Sequence, residues 1–371
     1  MEKKKTIPIA VGIAIAVGLL VTIVSNQNLP TENNSTDKIG LVINTPTTRT
    51  TLEELDQVYS KATSSGIGRT NAYLFWNIVE PTKGEYNWDQ TDILMSFTKK
   101  NDLNVTLYFS LINGNTLGPF PSWMGKPSLI SVSEDRLVKV LDAILSRYDI
   151  IDTVIISGET ESHFRYSENE IPVYKELFEN VYDRIKEKHP NVKIGNAFSL
   201  HHVLNKNLEH IVKELAIGDF VAFSYFPVDS LNDIVKTPMD AKQDLNKAFE
   251  LSGGKQIAFF EISWSTSEFI GGNKTSQKQF VEESFSFFDN NESKIEFFTW
   301  YRLYDKAEEE CDIKVPEDEG SVSVGGGSGL GSSEFVVQRL EHYICDVGLL
   351  TVNGDPKPSW NEFFKEINNI S

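Results

Sequence analysis

Three glutamates stand where apolar runs come to an end. TVIISGETESHF (153–164) leaves a β-branched, apolar segment and at once presents Glu159 and Glu161, one residue apart. KQIAFFEI (255–262) carries Glu261 at its close. A lone carboxylate in an apolar strand is costly unless it is paired or set at an opening. Two carboxylates in unlike surroundings, one protonated and one ionised, do general acid–base work. A pair of them flanking a bond is the arrangement that breaks glycosidic linkages. Aromatic residues flank the acids in the same way. Trp76, Tyr225, Trp264 and Trp300 each lie at or just beyond the end of an apolar run, where a sugar could stack. His202 follows another such end. Competing chemistry is absent from the sequence: there is no zinc-type Cys/His spacing, no Walker loop and no HExxH. The run VGGGSGLGSS (324–333) does not fit a nucleotide turn and reads as loop. The expectation is therefore a carbohydrate substrate, with no metal, no cofactor and no protein partner.

The elements that must position these residues alternate regularly. Short apolar runs at 38–44, 70–76, 104–112, 152–157, 192–199, 219–226, 255–262 and 294–303 read as strands. Amphipathic stretches at 51–66, 91–102, 131–149, 172–189, 204–216, 237–251 and 276–291 read as the helices between them, the third opened by a capping box Ser131-x-x-Glu134. Further helical patterns cover 333–344 and 359–368. Strands this continuously apolar are buried on both faces, as parallel strands are. Eight repeats without a glycine-rich turn after the first strand predict an α/β fold, a single (β/α)8 barrel over 37–371. In such a barrel the site lies at the C-terminal strand ends, which brings the ends of strands four and seven to the same mouth.

At this point the chain resembles the large clan of (β/α)8 glycoside hydrolases whose catalytic glutamates follow strands four and seven. FWNIVEPTKGEYNWDQTD (75–92) is similar to the clan's W-x-x-x-E-P-x-x-G-x-Y-x-W-x-x-x-D segment. FFEISWST (259–266) resembles its strand-seven Glu-x-x-W pattern, and GLLTVNGDPKPSWNEF (348–363) its closing segment. The resemblance implies a retaining double displacement on a β-linked glycan. Glu261 would be the nucleophile and Glu159 the acid/base; a register shifted by two residues would give the latter role to Glu161. Tyr225 would hydrogen-bond the nucleophile, Trp300 would be the platform under the sugar, and Trp76 a further part of the floor. Glu161, Trp264 and His202 join these as candidate substrate contacts. Glu80, Tyr86 and Trp88 read as structural. One departure matters. Where the clan has an asparagine that contacts the sugar 2-hydroxyl, this chain has Gly158. The alternative is thus a carbohydrate-binding barrel that has lost efficient hydrolysis.

Composition bounds the setting. The chain has 371 residues, is 40% hydrophobic and carries a formal net charge of −18. So acidic a chain is a poor partner for nucleic acid. Residues 1–25 join a basic MEKKK to an uncharged apolar run at 7–25, long enough to span a bilayer. They are expected to be a membrane anchor or a signal peptide, followed by a polar tether at 26–36. Lysines on the N-terminal side predict an exterior barrel, either anchored or secreted. Cys311 and Cys345, the only two cysteines, would be free to pair there. Residues 305–333 form an acidic, then glycine-rich insertion after strand eight.

Overall fold

A computed structural model describes residues 35–307, 310–311, 321–322, 330–331 and 334–370. The apolar segment and most of the insertion lie outside the described residues. Among the described residues no helix is long and apolar enough to cross a membrane.

Eight parallel strands close into a barrel: Ile39–Leu41, Arg69–Tyr73, Asn104–Tyr108, Ile151–Ile155, Lys193–Ser199, Phe220–Tyr225, Gln256–Ile262 and Ile295–Trp300. Each pairs with its neighbours in sequence, and the first pairs with the eighth. The helices cover the outside, so each strand is buried on both faces, which explains the unbroken apolar runs. Outward side chains such as Phe223, Phe259 and Phe298 pack against helix residues such as Phe285, Phe287 and Phe288, all at most 1% exposed. Each fully buried aromatic of this kind contributes about 1.5–3 kcal/mol by burial. The inward layer is a separate cluster of Tyr108, Ile155, Ala197, Phe220, Ala222, Ala258, Phe260 and Phe297. Gly40 belongs to that interior: a Cβ there would stand 2.5 Å from Thr299 Oγ1 and 2.8 Å from Arg69 Cγ.

Irregularities appear where the apolar pattern reads as continuous. The third strand stops at Tyr108, and Ser110 takes a positive φ of 69°. Residues 112–113 and 116–117 then form a two-stranded hairpin. The helix expected at 131–149 begins at Glu134 after Ser133, and Ser131 instead closes a turn onto the Ser128 carbonyl at 2.8 Å. The expected 204–216 helix is two, Leu200–Lys206 and Glu209–Glu214, divided at Asn207 with φ 56°. Asparagine tolerates the left-handed region better than most residues, so the break falls there.

The seventh strand holds the irregularity that matters most. Phe223 pairs with Phe259, but the next residue, Ser224, pairs with Glu261. On the other side Phe298 pairs with Phe259 and Trp300 with Ile262. One extra residue therefore enters this strand at Phe260–Glu261, a β-bulge that re-aims the side chains beyond it. Strict alternation would send Phe260 inward and Glu261 outward. With the bulge both face the barrel interior, and Tyr225, Ile262 and Trp300 form one row turned towards the helices.

Candidate active site

Glu261 and Glu159 both reach the top of the interior, but their surroundings differ. Glu261 is 0% exposed. The Tyr73 hydroxyl donates to its Oε1, while Oε2 has no hydrogen-bond partner within the protein. Burial pushes its carboxyl up to about 8, against the Tyr73 hydrogen bond and the positive charge of Arg302, which pull it down. Glu159 is 4% exposed, and neither of its carboxylate oxygens has a partner. Its backbone takes a left-handed φ of 51°, a conformation costing about 1–3 kcal/mol in a non-glycine residue. Burial first, then the charges of Glu161 and Glu261, hold its carboxyl well above the ordinary range. Glu159 has nothing to stabilise its anion, whereas Glu261 has a donor and a nearby cation. Glu261 is thus the one that ionises first, and the last proton resides on Glu159.

Glu161 is held away from this pair in a network of its own. Its Oε1 lies 3.0 Å from His202 Nδ1 and accepts from Ser162 Oγ at 3.3 Å, and its Oε2 accepts from the Ser199 amide at 3.2 Å. His202 Nε2 lies 3.1 Å from an Arg165 guanidinium nitrogen. A guanidinium only donates, so Nε2 accepts and Nδ1 carries the proton given to Glu161. These two residues, expected against the substrate, instead hold each other behind Glu159. His201, next in the chain to His202, bonds Ser199 Oγ and stacks on Phe226, and burial lowers it to about 3, so it stays neutral.

The four aromatic side chains expected under the sugar are 0–1% exposed and lie in the protein core. Tyr225 donates to Asp244 Oδ2 at 2.6 Å instead of to Glu261. Trp300 packs on Phe280 and Phe363, and Trp264 on Phe280. Tyr225 and Trp300 face the helices by plain alternation from the outward Phe223 and Phe298, and Trp264, two residues beyond Ile262, follows the phase set by the bulge. Trp76 opens a short helix, Trp76–Val79, and its indole donates to Glu80 at 2.8 Å one turn on. Glu80 also accepts from the Gly84 amide at 2.7 Å, which gives it the structural place expected of it.

Different rings take the interior positions. Tyr73, Phe75, Tyr108 and Phe260 form a contiguous group, with Tyr108 stacked on Phe260 at 5.4 Å. Tyr301, the residue after Trp300, is partly exposed and bonded to Arg302. Sequence reading missed Tyr73, Tyr108, Tyr301 and Arg302. Parity along the second strand would have found Tyr73 had the strand been ended there and not at Trp76.

Tyr108 also explains Gly158. A Cβ at position 158 would lie 2.4 Å from Tyr108 Cε2 and 2.5 Å from its hydroxyl oxygen. The ring fills the space an asparagine side chain would need. Its hydroxyl lies 3.0 Å from Asn113 Oδ1, to which it donates. The hairpin carrying Asn113 is pinned beside Gly158 by Gly158 N to Ile112 O at 2.9 Å and Gly114 N to Gly158 O at 3.1 Å.

Behind the eighth strand, Cys311 and Cys345 are joined in a disulfide with Cα atoms 5.7 Å apart. It ties the start of the insertion to the helix Glu334–Cys345. No group of His, Cys, Asp and Glu among the described residues could hold a metal ion.

No protein-family model and no curated protein matches the chain. Solved structures do. A GH5_18 protein from Bifidobacterium longum subsp. longum, in complex with Manβ1-4GlcNAc, superposes with TM-score 0.65 at 11% identity, covering 90% of this chain and 78% of that one. A family 39 glycoside hydrolase from Bacteroides cellulosilyticus WH2 gives 0.59 at 15% identity, covering 91% and 65%. Xylanase 10B from Thermotoga maritima gives 0.56 at 15%, covering 91% and 97%. The barrel that carries Glu159 and Glu261 is thus the fold of the (β/α)8 glycoside hydrolase clan.

Proposed function

We propose that the protein is a retaining glycoside hydrolase acting on a β-linked glycan. The observation that carries this is the pair Glu159 and Glu261, buried in one interior at the ends of strands four and seven, with a donor and a cation supporting the anion of Glu261 alone. The likeness in fold to glycoside hydrolases is consistent with it. Glu261 attacks the anomeric carbon through Oε2, the oxygen that Tyr73 leaves unoccupied. Glu159 gives its proton to the glycosidic oxygen as the carbon–oxygen bond breaks. The Glu159 carboxylate then takes a proton from water, whose oxygen attacks the same carbon and releases Glu261. Burial raises both carboxyls, but Glu261, with a donor and a nearby cation, gives up its proton before Glu159, which is the order the two roles require.

A second reading has its own observation. Tyr108 occupies the space beside Gly158 where a 2-hydroxyl contact would come from, which favours a barrel that binds glycan with little turnover. Incubation of the full chain, in neutral detergent, with aryl β-glycosides and β-glucan, β-mannan and β-galactan separates the two. Turnover that falls at least about 10³-fold in Glu261→Gln supports the hydrolase. Folded protein that binds a glycan without cleaving any substrate overturns it in favour of the binder.

The charge pattern of residues 1–25 supports a membrane-anchored or secreted barrel facing the cell exterior. Fractionation of cells expressing the full chain, with protease added outside, tests this.

A further inference from the structure

The barrel holds two buried arginines, and only one is satisfied. Arg69, 3% exposed, uses every nitrogen: on Asp152 at 2.6 Å, on Thr106 and Thr153, and on the Asp37 carbonyl. Arg302 is buried to the same 3%, two residues beyond the eighth strand. Its Nε has no partner, and its one hydrogen bond among the described residues goes to the Tyr301 hydroxyl. The guanidinium lies 4.4 Å over the Tyr301 ring. No described carboxylate comes within ion-pair distance of it, although its charge reaches Glu261. Lys306, four residues on, repeats the pattern. Its ammonium makes no hydrogen bond or ion pair among the described residues, and it feels Arg302 as a like charge. The nearby Glu310 spends one carboxylate oxygen on the Thr48 amide and hydroxyl, at 2.8 and 3.0 Å.

Burying a cation without a partner is expensive, and placing a second cation beside it adds repulsion. In a chain of net charge −18, no described carboxylate closes on either group; Glu261 and Glu310 act on them only from beyond ion-pair distance. A ligand that brings the missing anion resolves both costs. We propose that Arg302 and Lys306 form an anion-recognising subsite beside Glu261, and that the glycan carries a carboxylate or a sulfate next to the linkage that is cleaved. This rests on the hydrolase reading above and names its substrate class. The Tyr301 ring and hydroxyl hold the Arg302 guanidinium in place to meet that charge.

The test measures binding, so it does not depend on turnover. Full-chain Glu261→Gln in neutral detergent is titrated calorimetrically with matched β-1,4-linked trisaccharides of the gluco and manno series. Each series has a neutral, a uronic-acid and a 6-sulfated member. The proposal expects an acidic member of at least one series to bind at least tenfold more tightly than its neutral parent. The carboxylate and sulfate arms then say which anion is read. Adding Lys306→Met or Arg302→Met brings the acidic-to-neutral ratio to within about twofold of one, while Lys247→Met on the far surface leaves it unchanged. Lys306 is only half-buried, so its variant keeps the test open should Arg302→Met misfold. Equal binding in every series, tighter binding of neutral members, no binding at all, or a preference surviving both substitutions overturns the subsite. Selective binding of acidic glycan with no turnover by the parent leaves the subsite standing and removes the hydrolase. Turnover without any charge preference does the reverse.

Discussion

The two ends of the barrel interior each bury an arginine, Arg69 and Arg302 at 3% exposure, and are differently satisfied. At the N-terminal end Arg69, Asp152, Thr106 and Thr153 form a closed polar cluster in which every guanidinium nitrogen has an acceptor. At the C-terminal end both oxygens of Glu159, Oε2 of Glu261, Ser224 Oγ and Arg302 Nε have none within the protein. Buried polar groups are normally paired, and each unpaired one costs about 1–3 kcal/mol. The lower cluster therefore reads as structure. The upper set reads as a surface built for something that arrives from outside. Thr299 Oγ1, beside Gly40 and Arg69, is also unpaired, but the ionisable groups left with unpaired atoms, Glu159, Glu261 and Arg302, all lie at the upper end.

Substitutions at the two ends break this contrast in opposite directions. Arg69→Met strands Asp152 and two threonines, so it lowers stability by roughly 2–4 kcal/mol in urea titration while leaving the pH profile of activity in place. Glu261→Gln does the opposite. Its carboxyl has a folded value near 8 against an ordinary 4.5, so the parent loses stability as pH climbs through that window. The glutamine variant does not titrate. It is therefore more stable than the parent by roughly 1–3 kcal/mol above pH 8, with little difference below pH 5; thermal melts across that range check it. A loss of stability at high pH would place Glu261 among the structural groups.

Tyr73→Phe removes a donor that pulls Glu261 down. The limb on which kcat/KM rises with pH then moves up by about 0.5–1 pH unit, and the limb set by Glu159 stays. Tyr225→Phe is the smallest change. It loses one hydrogen bond to Asp244 and about 1 kcal/mol of stability, with KM unaltered. A large KM effect would return Tyr225 to the substrate side.

The fold was legible because eight apolar runs alternating with amphipathic helices leave few other architectures. The acids were legible because a glutamate inside FFEIS has no cheap structural use, and of the pair closing TVIIS only Glu161 finds one, in its network with His202 and Ser199. The aromatic platforms were not. Their placement depends on parity along a strand: Tyr225 and Trp300 share the outward parity of Phe223 and Phe298, and the extra residue at Phe260–Glu261 shifts the phase that reaches Trp264. The segment around Trp76 misled for a related reason. Trp76 and Glu80 are one helical turn apart and bond each other, so their spacing reports a turn of helix and not a sugar floor.

By itself the sequence determined the barrel, the strands that present carboxylates and the departure at Gly158, since composition and periodicity are local properties. Only the tertiary structure decided which side chains share the cavity. It put Tyr73 and not Tyr225 on Glu261, set the Tyr108 ring against Gly158, and brought Arg302 near Glu261 with no ion-pair partner among the described residues. Each of these is a contact between residues distant in the chain. It is fixed by register, a bulge and desolvation, and none of those is written in the residues on either side.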